Sequence, residues 1–239
     1  MHFLRTLLTA LAVSTASAKL LIDFTGGDDP SKLGHIELER YTLGDRIPPG
    51  EGGDDVFIKN EEDKSLSRPS LHYKRSAHFR RAEMRILENT LKQDHTYYVG
   101  WTFRLPHSRA GLVVFQWKKD DKYAAPAQNI PFHLEFKGHD KLSLDYTTPG
   151  GNGSDRNPVW GGDFSTGEGE EHIHSVAFAI NTDNNGQGWL EFYLDGKKQT
   201  FDNGKERLEN VFLFTGETRP KIGNACSRLE RSEFADESC

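Results

Sequence analysis

No window of the chain sustains the apolar period of about 3.6 residues that an amphipathic helix needs. Apolar and polar residues alternate instead in short runs, and clusters of Gly, Pro, Asn and Asp interrupt them every 8 to 15 residues. The clearest run is 96–105, where Tyr97, Val99, Trp101, Phe103 and Leu105 share one face of a strand and Pro106 stops it. The runs 132–137 and 142–146 repeat the pattern around Gly138-His139-Asp140-Lys141, a hairpin-like connection. Further strands are expected at 20–24, within 70–86, and at 112–118, 174–181, 189–194 and 209–215, with a last one opening at 219–223. Two loop-rich stretches, 34–68 and 147–171, separate some of them. Alternation of period two with such frequent turns is the pattern of an all-β sandwich. The expectation is a concanavalin-like β-jelly roll with one sheet lining a concave substrate groove. A chain of 239 residues is enough for one such domain.

The first 18 residues read as a secretory signal peptide. Arg5 supplies the positive start, residues 7–13 the apolar stretch, and Ala16-Ser17-Ala18 the cleavage site. The mature protein is therefore expected to be secreted, with a domain at 19–223 and an atypical polar tail at 224–239. Asn152-Gly153-Ser154 is an N-glycosylation sequon, in keeping with that compartment. No later stretch approaches the roughly 20 apolar residues of a membrane span, so no membrane partner is expected. The formal net charge is −6, and cleavage removes an arginine and no acid. A chain this acidic does not hold nucleic acid by bulk charge; an anionic partner needs a local basic site. The two cysteines, Cys226 and Cys239, lie at the C-terminal end, and no His/Cys cluster points to zinc.

Such a basic site is offered by residues 79–86. Read as a strand, Arg81, Glu83 and Arg85 share one face, while Ala82, Met84 and Ile86 share the other. A glutamate between two arginines orients their guanidinium forks, which bind carboxylates pairwise. Gln116 and Lys118 stand opposite Phe115 and Trp117, and His133, Glu135 and Lys137 opposite Phe132, Leu134 and Phe136. Trp189, Glu191 and Tyr193 stand opposite Leu190, Phe192 and Leu194. Four strands with a basic, amide or aromatic face behind an apolar one describe a carbohydrate groove. Aromatic rings stack on sugars, and arginines take uronate carboxylates.

These residues resemble a known family. Arg81-Ala82-Glu83-Met84-Arg85 resembles the R-x-E-x-R strand of jelly-roll polysaccharide lyases, and Gln116-Trp117-Lys118 resembles their Q-x-H or Q-x-K strand. Lys221-Ile222-Gly223 resembles the start of their closing K-x-G-x-Y strand. The chain from about residue 20 to 223 looks most like a fungal glucuronan lyase, with motifs shared by alginate lyases. The resemblance implies β-elimination on a polyuronate such as β-1,4-linked glucuronic acid. Gln116, Arg81 and then Arg85 would neutralise the substrate carboxylate. Glu83, Lys118, Glu135, Trp189, Tyr193 and Lys221 would line the groove. The expected partner is an acidic polysaccharide and the expected state a monomer. The chemistry requires no cofactor, and the resemblance leaves room for a structural calcium ion without naming its ligands.

One position departs from that pattern. The acid/base tyrosine expected two residues after Gly223 is Ala225, and the residues from Asn224 onward are polar and do not alternate. Three explanations stand open: an error in the gene sequence after Gly223, a relative that binds without cleaving, or another base, for which Tyr146, Tyr193 and His133 are the candidates. Two readings of other classes stand beside the lyase. A jelly-roll glycoside hydrolase needs two carboxylates flanking the scissile bond, but the E-x-D-x-x-E signature is absent. A non-catalytic, lectin-like binding module would use the same groove, and Ala225 favours it.

Overall fold

The structure is a computed structural model and describes residues 19–226 apart from 43, 89, 120–129, 150–155, 184 and 214–217. The signal peptide, the glycosylation sequon and residues 227–239 lie outside the described residues. The strands are β1 (Gly34–Arg40), β2 (Arg46–Ile47), β3 (Val56–Asp63), β4 (Arg68–Arg75), β5 (Phe79–Ile86), β6 (Thr96–Phe103), β7 (Leu112–Trp117) and β8 (Phe132–Gly138). They continue with β9 (Lys141–Thr147), β10 (Arg156–Asp163), β11 (His174–Asn181), β12 (Gly188–Leu194), β13 (Lys197–Lys198), β14 (Leu208–Val211) and β15 (Lys221–Cys226). The large sheet has the order β10-β9-β8-β7-β15-β5-β1-β2. The smaller one runs β13-β12-β11-β6, with β14 also paired to β12, and β3 and β4 form a separate hairpin.

The two sheets pack face to face as a β-sandwich of the jelly-roll kind, and period-two alternation supplies the core between them. Met84, Phe115, Trp117, Phe132 and Leu134 come from the large sheet; Val176, Phe178, Ile180, Leu190 and Phe192 come from the smaller one. Aromatic rings interlock across the layers: Phe115 and Phe132 each lie 5.2 Å from Phe178, and Trp160 meets Phe192 edge-on at 4.7 Å. Each such pair is worth about 0.5–1.5 kcal/mol beyond area burial. Trp117 also donates its indole N–H to the Leu213 carbonyl at 2.6 Å, which removes the cost of burying that donor. The β3–β4 hairpin adds Val56 and Ile58 to the same core.

Four features depart from the expectation. Residues 20–24 form no strand. The loop-rich stretch 34–68 contains β1, β2 and β3, and the stretch 147–171 contains β10. In β1 only Ile36 and Leu38 alternate with Glu37 and Glu39, so its apolar signal is short. The closing strand does not end at Gly223 but runs to Cys226. It is central, with Ala225 pairing with both Arg81 and Val113. Ladder bonds on both sides hold it where side-chain propensity is weak. Gly223 adopts φ 150°, and a Cβ there would lie 2.4 Å from the Ala82 carbonyl oxygen. Its place mid-strand reflects a register shift between Ile222 and Ala225.

Candidate active site

The outer face of the large sheet carries the polar half of the alternation in its own central strands. Register turns these residues into a row. Arg85 stands opposite Lys221, Lys221 opposite Gln116, Gln116 opposite His133, and His133 opposite Asp145. Five adjacent strands thus contribute one side chain each, over about 19 Å at the usual strand spacing. A second row pairs Glu39 with Arg81 and Arg81 with Ala225, and between the two rows Glu37 faces Glu83.

Four carboxylates and three cations interlock at the β1, β5 and β15 end. Lys221 Nζ lies 2.8 Å from Glu37 and 3.3 Å from Glu83. Arg81 reaches Glu39 at 2.6 Å, Glu83 at 3.4 Å and Glu37 at 3.5 Å. Arg85 reaches Glu88 at 3.2 Å and Glu37 at 3.3 Å. Gln116 donates Nε2–H to Glu83 Oε1 at 2.6 Å. Burial alone would raise the pKa of Glu37, but Lys221, Arg81 and Arg85 outweigh it and hold the carboxyl at about 2. A carboxylate so held stays ionised at neutral pH and cannot serve as a general acid.

A second cluster lies at the β8–β9 end. His133 Nε2 is 3.0 Å from Glu135 and 3.8 Å from Asp145. Lys137 Nζ bridges the same two carboxylates at 3.2 and 2.7 Å, and Ser143 donates to Asp145 at 2.5 Å. Burial lowers the pKa of His133, against the hydrogen bond to Glu135, so the ring is neutral at neutral pH. In the neutral ring that bond keeps the proton on Nε2 and leaves Nδ1 as a lone pair. Nδ1 is buried and has no hydrogen-bond partner among the described residues.

His133, Glu135 and Asp145 offer ligand atoms within 4.8 Å of one another, the spacing a small cation needs. Lys137 already neutralises both acids, with Arg156 at 3.8 Å from Glu135. A metal ion fits there only if Lys137 is displaced. Calcium, which takes 6–8 oxygen ligands, is poorly served by one imidazole and two carboxylates.

Arg81, Glu83, Arg85, Gln116, His133, Glu135 and Lys221 therefore share one face. Lys118 stands just beyond β7, buried, with its carbonyl accepting from the Arg219 N–H at 2.7 Å. Three expected site residues are elsewhere. Tyr146 lies opposite Phe132 on the core side of the sheet, and its hydroxyl accepts from the Phe212 backbone N–H at 3.0 Å. That placement removes it as the base. Trp189 and Tyr193 belong to β12 in the smaller sheet, where Leu190 and Phe192 take the core side and turn them outward on the far side of the sandwich. Alternation identifies residues that share a face but not the sheet to which the face belongs. Glu37, Glu39 and Asp145 were missed. Their signal was the alternation of Ile36 and Leu38 with the two glutamates, and of Leu142 and Leu144 with Ser143 and Asp145.

Among solved structures, the endo-β-1,4-glucuronan lyase of the fungus Trichoderma reesei superposes with a TM-score of 0.50 at 12% identity, covering 81% of this chain and 84% of that one. The likeness is one of fold. The globular domain of T. cruzi calreticulin is also similar, with a TM-score of 0.46 at 11% identity over 81% of this chain and 83% of that one. No family model and no curated protein matches the chain.

Proposed function

We propose that the protein is a secreted polysaccharide lyase that cleaves a glucuronan-like polyuronate by β-elimination. The observation that carries this reading is the row Arg85–Lys221–Gln116–His133 on four adjacent strands, beside Arg81. It sets carboxylate-binding groups next to a neutral imidazole. The C5 proton of a uronate is barely acidic while its carboxylate carries full charge. Gln116 and Arg81, with Arg85 behind them, hydrogen-bond that carboxylate and stabilise the negative charge that develops on it. The Glu83, Glu37 and Glu39 carboxylates keep these donors oriented before substrate arrives.

His133 Nδ1, buried in the free protein, is then the base once substrate binding uncovers it. It takes the C5 proton, the C5–H electron pair becomes the C4–C5 double bond, and the bond from C4 to the glycosidic oxygen breaks. The imidazolium so formed returns the proton to the leaving oxygen. Ala225, only 4% exposed and set beside Arg81, brings no acid or base to the position where the resembled lyases carry tyrosine. Turnover is accordingly slow. That same alanine favours the second reading, a relative that binds polyuronate without cleaving it.

The test compares Gln116→Ala with Tyr146→Phe, following the ultraviolet absorbance of the unsaturated product on glucuronan and alginate. Gln116→Ala is expected to lose about 10²–10³ in rate, as for an oxyanion donor. Tyr146→Phe keeps its activity. Equal activity in both variants contradicts the assignment. Binding without product in the wild type selects the second reading.

A further inference from the structure

A second set of side chains suited to proton transfer lies apart from the charged rows, at one end of the smaller sheet. Ser165 stands on the loop between β10 and β11, His174 opens β11, and Asp195 sits in the turn after β12. His174 Nδ1 lies 2.8 Å from Asp195 Oδ2, and His174 Nε2 lies 3.0 Å from Ser165 Oγ. A carboxylate can only accept, so the neutral ring carries its proton on Nδ1 and turns the Nε2 lone pair toward the serine hydroxyl. A serine is activated as a nucleophile by this relation of carboxylate, imidazole and hydroxyl.

Each member is held in place. The Ser175 N–H donates to Asp195 Oδ1 at 2.9 Å, and the Asp195 N–H to the Ser175 carbonyl at 2.8 Å. The serine loop is tied on both sides of Ser165. The Phe164 N–H donates to the Asp140 carbonyl at 3.0 Å, the Thr166 hydroxyl to Asp140 Oδ1 at 2.6 Å, and the Gly167 N–H to the Leu105 carbonyl at 2.9 Å. His174 packs on the Phe164 ring, with centroids 4.0 Å apart. The backbone N–H groups of Ser165 and Thr166 make no hydrogen bond among the described residues. Two donors beside the nucleophile are therefore unspent and can serve the oxygen of a tetrahedral adduct. Nε2 also lies 3.0 Å from the Ser165 carbonyl oxygen, which accepts from the ring once it is protonated.

We propose that Ser165 and His174, positioned by Asp195, form a second catalytic site that hydrolyses esters of short acids, acetyl esters above all. Ser165 is exposed, which admits an ester carried on a large molecule. Phe164, the ring packed at the site, is 1% exposed and offers no open slot to a longer acyl chain. Nε2 takes the hydroxyl proton as Oγ bonds to the acyl carbon. The ester C–O bond breaks, and the leaving oxygen takes that proton from Nε2. Water then gives a proton to Nε2 and its oxygen to the acyl carbon, and Oγ leaves with the proton restored.

Hydrolysis of p-nitrophenyl acetate and labelling by a fluorophosphonate reagent test the proposal on the full chain. The wild type releases p-nitrophenol and takes one phosphonyl group, which peptide mass spectrometry locates on Ser165. Ser165→Ala abolishes the label, and Ser165→Ala and Asp195→Asn each slow hydrolysis by about 10²–10⁴. Asparagine tolerates the φ of 50° at position 195, so the turn is kept. Its amide N–H faces Nδ1 and moves the ring proton to Nε2, so the loss in Asp195→Asn falls on kcat while KM is unchanged. Circular dichroism and thermal unfolding matching the wild type establish that both variants are folded. Hydrolysis undiminished in folded Ser165→Ala, a label on another residue, or a wild type no faster than His174→Gln overturns the second site. None of these results bears on the lyase reading, whose reacting row lies on the large sheet.

Discussion

Lys221→Met probes the electrostatic frame of the proposed site. Lys221 is 1% exposed, with its ammonium between Glu37 and Glu83. Methionine has a similar length and no charge, so packing is largely kept while two buried carboxylates lose a shared cation. Removing one partner of a buried ion pair typically costs about 3–5 kcal/mol. The titration of Glu37 gives a separate figure. Its shift from 4.5 to about 2, to which Lys221 contributes most among the charges that lower it, corresponds to about 3 kcal/mol. A carboxyl depressed in the folded state contributes stability that is fully present above its ordinary pKa of 4.5 and is lost as pH falls toward about 2. The penalty of Lys221→Met is therefore largest at neutral pH and shrinks through that window, because protonated Glu37 no longer needs a cation. Urea unfolding of both proteins at about pH 7 and about pH 3 measures the difference. The expected loss is about 3–5 kcal/mol at neutral pH and clearly less in acid. A loss under about 1 kcal/mol at neutral pH, or the same loss at both, refutes the account of this frame.

Two further substitutions bear on the chemistry. Ala225→Tyr restores a hydroxyl beside Arg81 and is expected to raise turnover by about 10² or more, the typical worth of a positioned acid or base; unchanged turnover in a folded variant shows that this position does not limit the reaction. His133, whose pKa burial pushes below 6.5, acts as base in its neutral form, so kcat/KM is flat at neutral pH and falls only in acid, below that lowered pKa. His133→Gln removes this acid limb together with most of the rate; an unchanged pH profile in that variant places the base elsewhere.

The sheet faces were legible because a period of two needs only local sequence. The alternation in 79–86 separates Arg81, Glu83 and Arg85 from Ala82, Met84 and Ile86 as the structure does. That alternation does not specify which strands are neighbours. Trp189 and Tyr193 have the same local pattern as Gln116 and His133, yet they lie across the core, because membership of a sheet is decided by long-range pairing. Tyr146 was misread for a smaller reason. It alternates with Asp145, and only the pairing of β9 with β8 shows that it is the aspartate that joins His133. The glutamates of β1 were hidden in a stretch whose glycines and prolines read as loop. Gly223 and Ala225 look foreign to a strand, but a central position with ladders on both sides accommodates them.

The most direct test of the central claim is the chemistry of the product. Glucuronan is incubated with the wild-type protein, and the fragments are analysed by mass spectrometry and proton NMR. β-Elimination predicts fragments whose new non-reducing ends carry a C4–C5 double bond and are lighter by one water than hydrolytic fragments. Saturated ends of hydrolytic mass, or glucuronan and alginate both left intact by the protein, would contradict it.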